Sequence, residues 1–286
     1  MKIVECPRDA MQGLHDFIPT SVKAGYINQL LKVGFDTIDF GSFVSPKAIP
    51  QLKDTAEVLS QLDLSSTRSK LLAIIANKRG AEQAVTFEEI SYLGFPLSIS
   101  ETFQQRNTNK SIADALNELA EIQNLCLANG KTLVTYISMG FGNPYNEPYN
   151  AEIVAEFLEK LNELKCEIIS LSDTTGVAES QLIKDIFKTS ITAYPTIEIG
   201  AHFHSTPSKT LEKIEAANEA GCTRFDTAMK GFGGCPMATD ELTGNIDTEV
   251  LVRYFDVLNV DLALDRTAFN LGLQMASEVF PSYEQS

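Results

Sequence analysis

Basic residues are in short supply in this chain. Lys and Arg together number 23 against 38 Asp and Glu, a formal net charge of −15 over 286 residues. So acidic a chain is a poor binder of nucleic acid or of anionic membranes, and neither is expected as a partner. An anionic small molecule is still permitted, because a local cation cluster can override the global field. No apolar run reaches membrane-spanning length. Met1 to Glu5 reads directly as a strand, without the apolar region of a signal peptide. The five cysteines, at 6, 126, 166, 222 and 235, are scattered and odd in number. That pattern excludes a disulfide framework and suits free thiols in a reducing cytosol, so a cytoplasmic location is expected. No Pro/Ser-rich or low-complexity linker divides the chain, and one catalytic domain over 1–286 is expected. No G-x-G-x-x-G follows the first strand, so nothing marks a dinucleotide site.

What is present alternates. With 44% hydrophobic and 21% charged residues the chain can bury a sizeable core. Strands are predicted at 3–6, 37–40, 71–76, within 90–100, and at 132–139, 167–172, 198–204 and 224–229. The fourth is disturbed by Gly94 and Pro96. Helices are predicted between them: 21–33 with a Gly34 stop, 48–61, 78–87, one capped by Ser111 and running to Ala128, one capped by Asn150, one over 180–191, and one capped by Ser208 and running to Ala220. The stretch from Glu101 through Asn109 reads as a polar loop. Two further helices, near 248–258 and 265–278, finish the chain. Strands alternating with helices imply a parallel sheet with right-handed crossovers. Eight such units in this length point to an α/β fold, a (β/α)8 TIM barrel with extra C-terminal helices over about 248–286. A doubly wound open sheet is the alternative.

In a barrel, chemistry collects where strands end. Arg8-Asp9, Asp39, Glu101, Asp173 and His202-Phe203-His204 all fall at such ends. Gly231 to Gly234, Cys235 and Asn245 follow the eighth strand. Residues i and i+2 of a strand share a face, so His202 and His204 look the same way. They are either polar residues satisfied by ordinary hydrogen bonds or two ligands of one metal ion. Asp9 would add a carboxylate, unless it serves a salt bridge. Asn245 would add a neutral oxygen, unless it serves its own loop. Such a mixed N/O set suits Mg²⁺ or Mn²⁺ and also fits Fe²⁺, Co²⁺ or Zn²⁺. Arg8 can stabilise an enolate or carboxylate oxygen, or bridge to Asp39 or Glu5. Asp173 either orients a histidine or water or is purely structural. Cys235, on a glycine loop expected to be mobile, is either a proton donor or a small residue in a tight turn.

Taken together these motifs resemble the 3-hydroxy-3-methylglutaryl-CoA lyases, barrel metallolyases related to the isopropylmalate and homocitrate synthases. The resemblance covers nearly the whole chain. It rests on Arg8-Asp9-Ala10-Met11-Gln12, Ser42 to Lys47, Ser100 to Phe103 with Asn107, Asn109 and Ser111, Leu171 to Val177, His202-Phe203-His204, Gly231 to Pro236, and Gly244-Asn245. It implies Asp9, His202, His204 and Asn245 as ligands of a divalent metal, Mg²⁺ or Mn²⁺. It implies catalytic roles for Arg8, Asp39, Asp173, His202 and Cys235, and substrate contacts from Gln12, Ser42 and Asn107. The implied reaction is retro-Claisen cleavage of a small-molecule acyl-CoA, 3-hydroxy-3-methylglutaryl-CoA, to acetyl-CoA and acetoacetate. The two C-terminal helices would cap the barrel or form a homodimer contact. Several positions depart from the family pattern. Asp39 replaces a glutamate and is one methylene shorter, so it should reach Arg8 only if the backbone shifts. Ala10 replaces a glycine and would crowd a positive φ. Ser205, Asn143 and Val134 replace an aspartate, a cysteine and an arginine. A diverged lyase or aldolase for another 3-hydroxy acyl-CoA or small hydroxy acid, and an inactive barrel kept for binding, are the alternatives.

Overall fold

The computed structural model describes residues 1–234 and 243–280. Its centre is a closed parallel barrel in which eight strands pair in sequence order and the last pairs with the first. The strands are β1 (Lys2–Glu5), β2 (Thr37–Ser42), β3 (Lys70–Ile74), β4 (Ile90–Ser98), β5 (Thr132–Ser138), β6 (Ile168–Asp173), β7 (Glu198–Phe203) and β8 (Arg224–Thr227). They are buried almost throughout, as a parallel sheet wrapped in helices requires.

The first crossover contains α1 (Pro7–Gln12) and α2 (Thr20–Val33); Gly34 ends α2 at φ 81°. Between β2 and β3 the expected single helix is a 3-10 turn, Pro50–Leu52, followed by α3 (Thr55–Leu59). The prolines and the Asp54 break leave too few residues for one long helix. Next come α4 (Lys78–Ala84), then α5 (Glu101–Thr108) and α6 (Ile112–Ala128). The α5 segment is helical where a loop was expected. Its composition is polar, but Ser100 caps it by accepting from the Phe103 amide at 3.1 Å, and Phe103 anchors it inside. Ser111 and Asn150 cap α6 and α7 (Ala151–Glu163) as their side chains suggested. After α8 (Ser180–Ala193) and β7, α9 (Thr210–Glu219) starts at Lys209 without a side-chain cap from Ser208.

Strand β4 runs unbroken through Ile90–Ser98 despite Gly94 and Pro96, its one register shift against β3 falling at Ser91. Gly94 is there for space. A Cβ at that position would lie 2.5 Å from Ile74 Cδ1 and 3.0 Å from Tyr136 Cε2, inside the barrel. Val134 joins Leu72, Tyr92, Tyr136 and Ile168 in that apolar interior.

The last helices, α10 (Thr248–Val257) and α11 (Arg266–Val279), pack on the barrel wall. Helix α11 lies on α2: Gln29 donates to the Ala268 carbonyl at 2.9 Å, and the Asp265 amide donates to the Val33 carbonyl at 3.0 Å. No helix among the described residues is long and apolar enough to cross a membrane.

Candidate active site

A cavity of about 210 Å³ opens at the C-terminal end of the strands. One wall is polar: Arg8, Asp9, Gln12, His202 and His204, with Tyr136, Ser138, Ser172 and Thr174. The facing wall is apolar: Val44, Ala48, Ile49, Ile74, Ala76, Pro96 and Phe103, with Asn107 and Thr108 at its edge. Alternating residues of several strands fill the floor, and the βα segments make the rim.

Arg8 and Asp9 belong to α1, not to the end of β1 as expected. The helix starts at Pro7, whose fixed φ suits a first helical position, and it aims both side chains at the barrel axis. Ala10 therefore adopts ordinary helical geometry, and the crowding expected from a positive φ does not arise.

The potential ligand atoms of Asp9, His202 and His204 all lie within 4.8 Å of one another. Asp9 is 3% exposed, yet it is held as a carboxylate. Burial works against its charge, but Arg8, His204 and His202 outweigh burial and lower its pKa. Its Oδ1 accepts from Arg8 Nη1 at 2.8 Å and from Gln12 Nε2 at 2.7 Å. Its Oδ2 accepts from Asn245 Nδ2 at 2.7 Å. Asn245 Nδ2 also donates to the Phe232 carbonyl at 2.8 Å. Two acceptors on the nitrogen set the orientation of that amide and leave its oxygen as the atom able to ligate.

The histidines are held differently. His202 Nδ1 lies 3.1 Å from Asp226 Oδ2, and its ring packs edge-on against Tyr136. Burial opposes protonation of His202, but the Asp226 contact and charge prevail and raise its pKa. His204 stands past the end of β7 and bridges to Asn245. Its amide donates to the Asp173 carbonyl at 3.1 Å, and its own carbonyl accepts from Lys213 Nζ at 2.9 Å. Burial, and then the neighbouring His202, lower its pKa to about 4. Its buried Nδ1 makes no hydrogen bond. A neutral imidazole with an orphaned ring nitrogen, a second imidazole and an ionised carboxylate, gathered this closely, fit a divalent cation.

Asp39 reaches Arg8 although its side chain is short. Arg8 Nη2 donates to Asp39 Oδ2 at 2.6 Å, and Nε donates to the same oxygen at 3.0 Å. The β2–β3 register slips between Asp39 and Gly41, beside this contact. Burial raises Asp39 to about 6 against the opposing pull of Arg8.

Other expected site residues point elsewhere. Ser42 is buried outside the cavity, its hydroxyl accepting from the Val44 amide at 3.1 Å. Asp173 is 1% exposed and takes three donors of its own: the Val177 and Ala178 amides at 3.0 Å each and Lys213 Nζ at 2.6 Å. Its carboxylate therefore meets His204 only through Lys213, although its main-chain carbonyl accepts from the His204 amide directly. Glu101 is exposed and caps α6 by accepting from the Ile112 amide at 3.0 Å. Asn143 shapes its own loop, accepting from the Tyr145 and Glu147 amides. Gln12 and Asn107 do line the cavity. Cys235 lies outside the described residues. The loop leading to it is packed, not loose, at Gly233: a Cβ there would meet Asn245 Nδ2 at 2.6 Å and the Asp9 carbonyl at 2.9 Å.

Asp226 and Lys213 were missed from sequence. Arg224-Phe225-Asp226 shows the same polar–apolar–polar alternation as the histidine pair and was the available signal for Asp226. Lys213 sits mid-helix among charged residues, and nothing local distinguishes it.

The chain matches the family model HMGL-like over residues 2–272. The hydroxymethylglutaryl-CoA lyase YngG of Bacillus subtilis is 33% identical over 254 residues, covering 89% of this chain and 84% of that protein. The mitochondrial hydroxymethylglutaryl-CoA lyase of Mus musculus is 33% identical over 263 residues, covering 91% and 79%. Among solved structures, an HMG-CoA lyase from Acinetobacter baumannii in complex with coenzyme A and 3-methylmalate superposes with a TM-score of 0.90. It is 31% identical and covers 98% of this chain and 91% of that one. The Bacillus subtilis HMG-CoA lyase structure gives a TM-score of 0.88 at 29% identity, with 99% and 92% covered. The barrel, the Asp9–His202–His204 cluster and a family match along almost the whole length agree, and the chain is a member of the HMGL-like family.

Proposed function

We propose that this protein is a divalent-metal-dependent carbon–carbon lyase that cleaves 3-hydroxy-3-methylglutaryl-CoA to acetyl-CoA and acetoacetate. The observation that carries the reading is the meeting of Asp9, His202 and His204 within 4.8 Å at the floor of one cavity. Relatives named as hydroxymethylglutaryl-CoA lyases over about nine-tenths of the chain support the substrate, and they do not favour a lyase for another hydroxy acid.

Asp9, His202, His204 and the Asn245 oxygen would hold Mg²⁺ or Mn²⁺. Such an ion supplies Lewis-acid polarisation and orientation of the substrate's oxygens. Arg8, fixed by Asp39 on one side and by Asp9 and Gln12 on the other, presents its cation to the oxygen where charge develops. In the reaction a basic group of the site takes the C3 hydroxyl proton, and the C3 oxygen becomes the acetoacetate carbonyl. The C2–C3 bond pair passes to C2 as the acetyl-CoA enolate, which then takes a proton. Cys235, which stands where the resemblance sets a proton donor, is our candidate for that last step. Gln12 and Asn107 contact the acyl group from the cavity wall. Ser42 acts on it only through the backbone of Val44. Acyl-CoA is thus the small-molecule partner, and the free thiols at Cys6, Cys126, Cys166 and Cys222 support a reducing, cytoplasmic setting.

The test is turnover of 3-hydroxy-3-methylglutaryl-CoA by metal-free protein with Mg²⁺ or Mn²⁺ added back, followed as acetoacetate. Metal-dependent cleavage that His204→Ala abolishes is expected. Metal-loaded protein that releases no acetoacetate would overturn the reading.

A further inference from the structure

His202 and Asp226 are direct register partners on β7 and β8. The pairing puts an imidazole that lines the cavity beside a buried carboxylate that does not. Asp226 Oδ2 lies 3.1 Å from His202 Nδ1, and the Asp226 side chain is 1% exposed. Its other oxygen makes no hydrogen bond. Two residues earlier on the same strand face stands Arg224, wholly buried, with no hydrogen bond from any of its three nitrogens. Gly200 makes room for it, since Arg224 Cδ lies 3.1 Å from where a Cβ of residue 200 would be. Arg224 shares that strand face with Asp226, and its Nη1 lies 3.7 Å from both Asp36 Oδ1 and Glu198 Oε1.

We propose that Asp226 is a positioning residue of the metal centre: it holds His202 in the tautomer with hydrogen on Nδ1, so that the bare Nε2 is the ligating atom. The inference rests on the metal-dependent reading above and deepens it. The carboxylate accepts the Nδ1 hydrogen, fixes the ring's rotation and raises the basicity of the opposite nitrogen. His204 needs no such partner. Its backbone is pinned on both sides, by the Asp173 carbonyl and by Lys213 Nζ, and that orients its ring. The two ligands thus owe their aim to different devices, one a side-chain contact between neighbouring strands β7 and β8 and one a clamped main chain.

The tautomer can be read without any metal. With only three histidines in the chain, ¹⁵N NMR of the metal-free full-length protein at pH 9 resolves each ring. His202 is expected with Nδ1 protonated and Nε2 bare, and Asp226→Ala should lose that bias. A wild-type His202 protonated on Nε2 overturns the proposal, and this reading does not depend on how any variant folds. Calorimetry with Mn²⁺ alone is the second measurement. Asp226→Asn, nearly isosteric, should weaken Mn²⁺ binding about tenfold and Asp226→Ala up to about 100-fold. Equal affinity in wild type and both variants overturns the positioning role while leaving the metal centre standing. Wild-type protein that takes up no Mn²⁺ overturns the metal reading itself, and the positioning role with it.

Discussion

Arg8 and Asp39 form a buried, forked pair: the guanidinium places Nη2 2.6 Å and Nε 3.0 Å from a single carboxylate oxygen, Asp39 Oδ2. Both side chains are shielded from solvent, at 7% and 1% exposure. In such surroundings the pair's value lies less in net stability than in what happens when half is removed. It aims a cation at the cavity and leaves that cation little freedom to turn.

Asp39→Asn should therefore act on both stability and turnover. A buried guanidinium that loses one of its two carboxylates costs roughly 3 kcal/mol, read as a lower urea midpoint at constant slope. The rate constant for cleavage should fall further than the apparent substrate affinity. Asp39→Glu should not help. The shorter carboxylate already meets Arg8, and an extra methylene in a fully buried place costs about 1–3 kcal/mol by overpacking.

Lys213→Met should release the His204 main chain. Lys213 Nζ reaches Asp173 Oδ2 at 2.6 Å, the Gly176 carbonyl at 2.8 Å and the His204 carbonyl at 2.9 Å. Removing it strands a buried carboxylate, a loss of about 3–5 kcal/mol by analogy with other broken buried pairs. Mn²⁺ affinity measured on the folded variant should drop as well. Unchanged metal binding would show that the clamp does not orient His204.

Gly233→Ala should damage the site through the backbone. Gly233 has φ 104°, a region alanine rarely adopts, and its Cβ would press on Asn245 Nδ2 and the Asp9 carbonyl. The strain is worth about 1–3 kcal/mol. Because the displaced atoms belong to the proposed ligand set, metal affinity should fall together with stability. A fully active variant with normal metal affinity would show that the loop is looser than its packing implies.

Stability should decline with rising pH, and Glu5 should be a main cause. Burial lifts its pKa from 4.5 to about 8, although Thr248, the Met229 amide and Thr227 hydrogen-bond to it. A carboxyl whose folded pKa is raised stabilises the fold below its unfolded pKa and loses that advantage as pH rises through the folded value. The unfolding free energy should thus fall between about pH 5 and 8, by an amount on the order of 4 kcal/mol from this group. Glu249, pushed up to about 7 chiefly by burial, adds to the same slope. Glu5→Gln should flatten the curve in urea unfolding taken at several pH values. An unchanged slope would exclude Glu5 as its source.

Much was legible because it is local. The caps at Ser111 and Asn150, the stop at Gly34 and the apolar runs of the strands all act within a few residues of themselves, and they mark eight strand–helix units wherever the chain is cut. His202 and His204 share a face because strand geometry has a period of two. Those facts sufficed for the barrel and for the histidine pair, which Asp9 joins from helix α1.

The rest was decided by the tertiary structure. Glu101 to Thr108 looked like a loop because its polar composition hides the buried pair Phe103 and Gln104 and the cap on Ser100. Asp173 sits at a strand end as expected, and Ser42 ends a β2 that runs two residues longer than predicted. Which way a strand-end side chain turns, however, depends on the donors that neighbouring segments bring, here the Val44 amide for one and Lys213 with two loop amides for the other. Asp226 meets His202 only because β7 and β8 pair in this register, which sets residues 24 apart in the chain side by side. The chain's local pattern determined the scaffold and its histidine pair, while the side chains that meet that pair were chosen by strand pairing and helix packing between distant segments, which no short window of sequence contains.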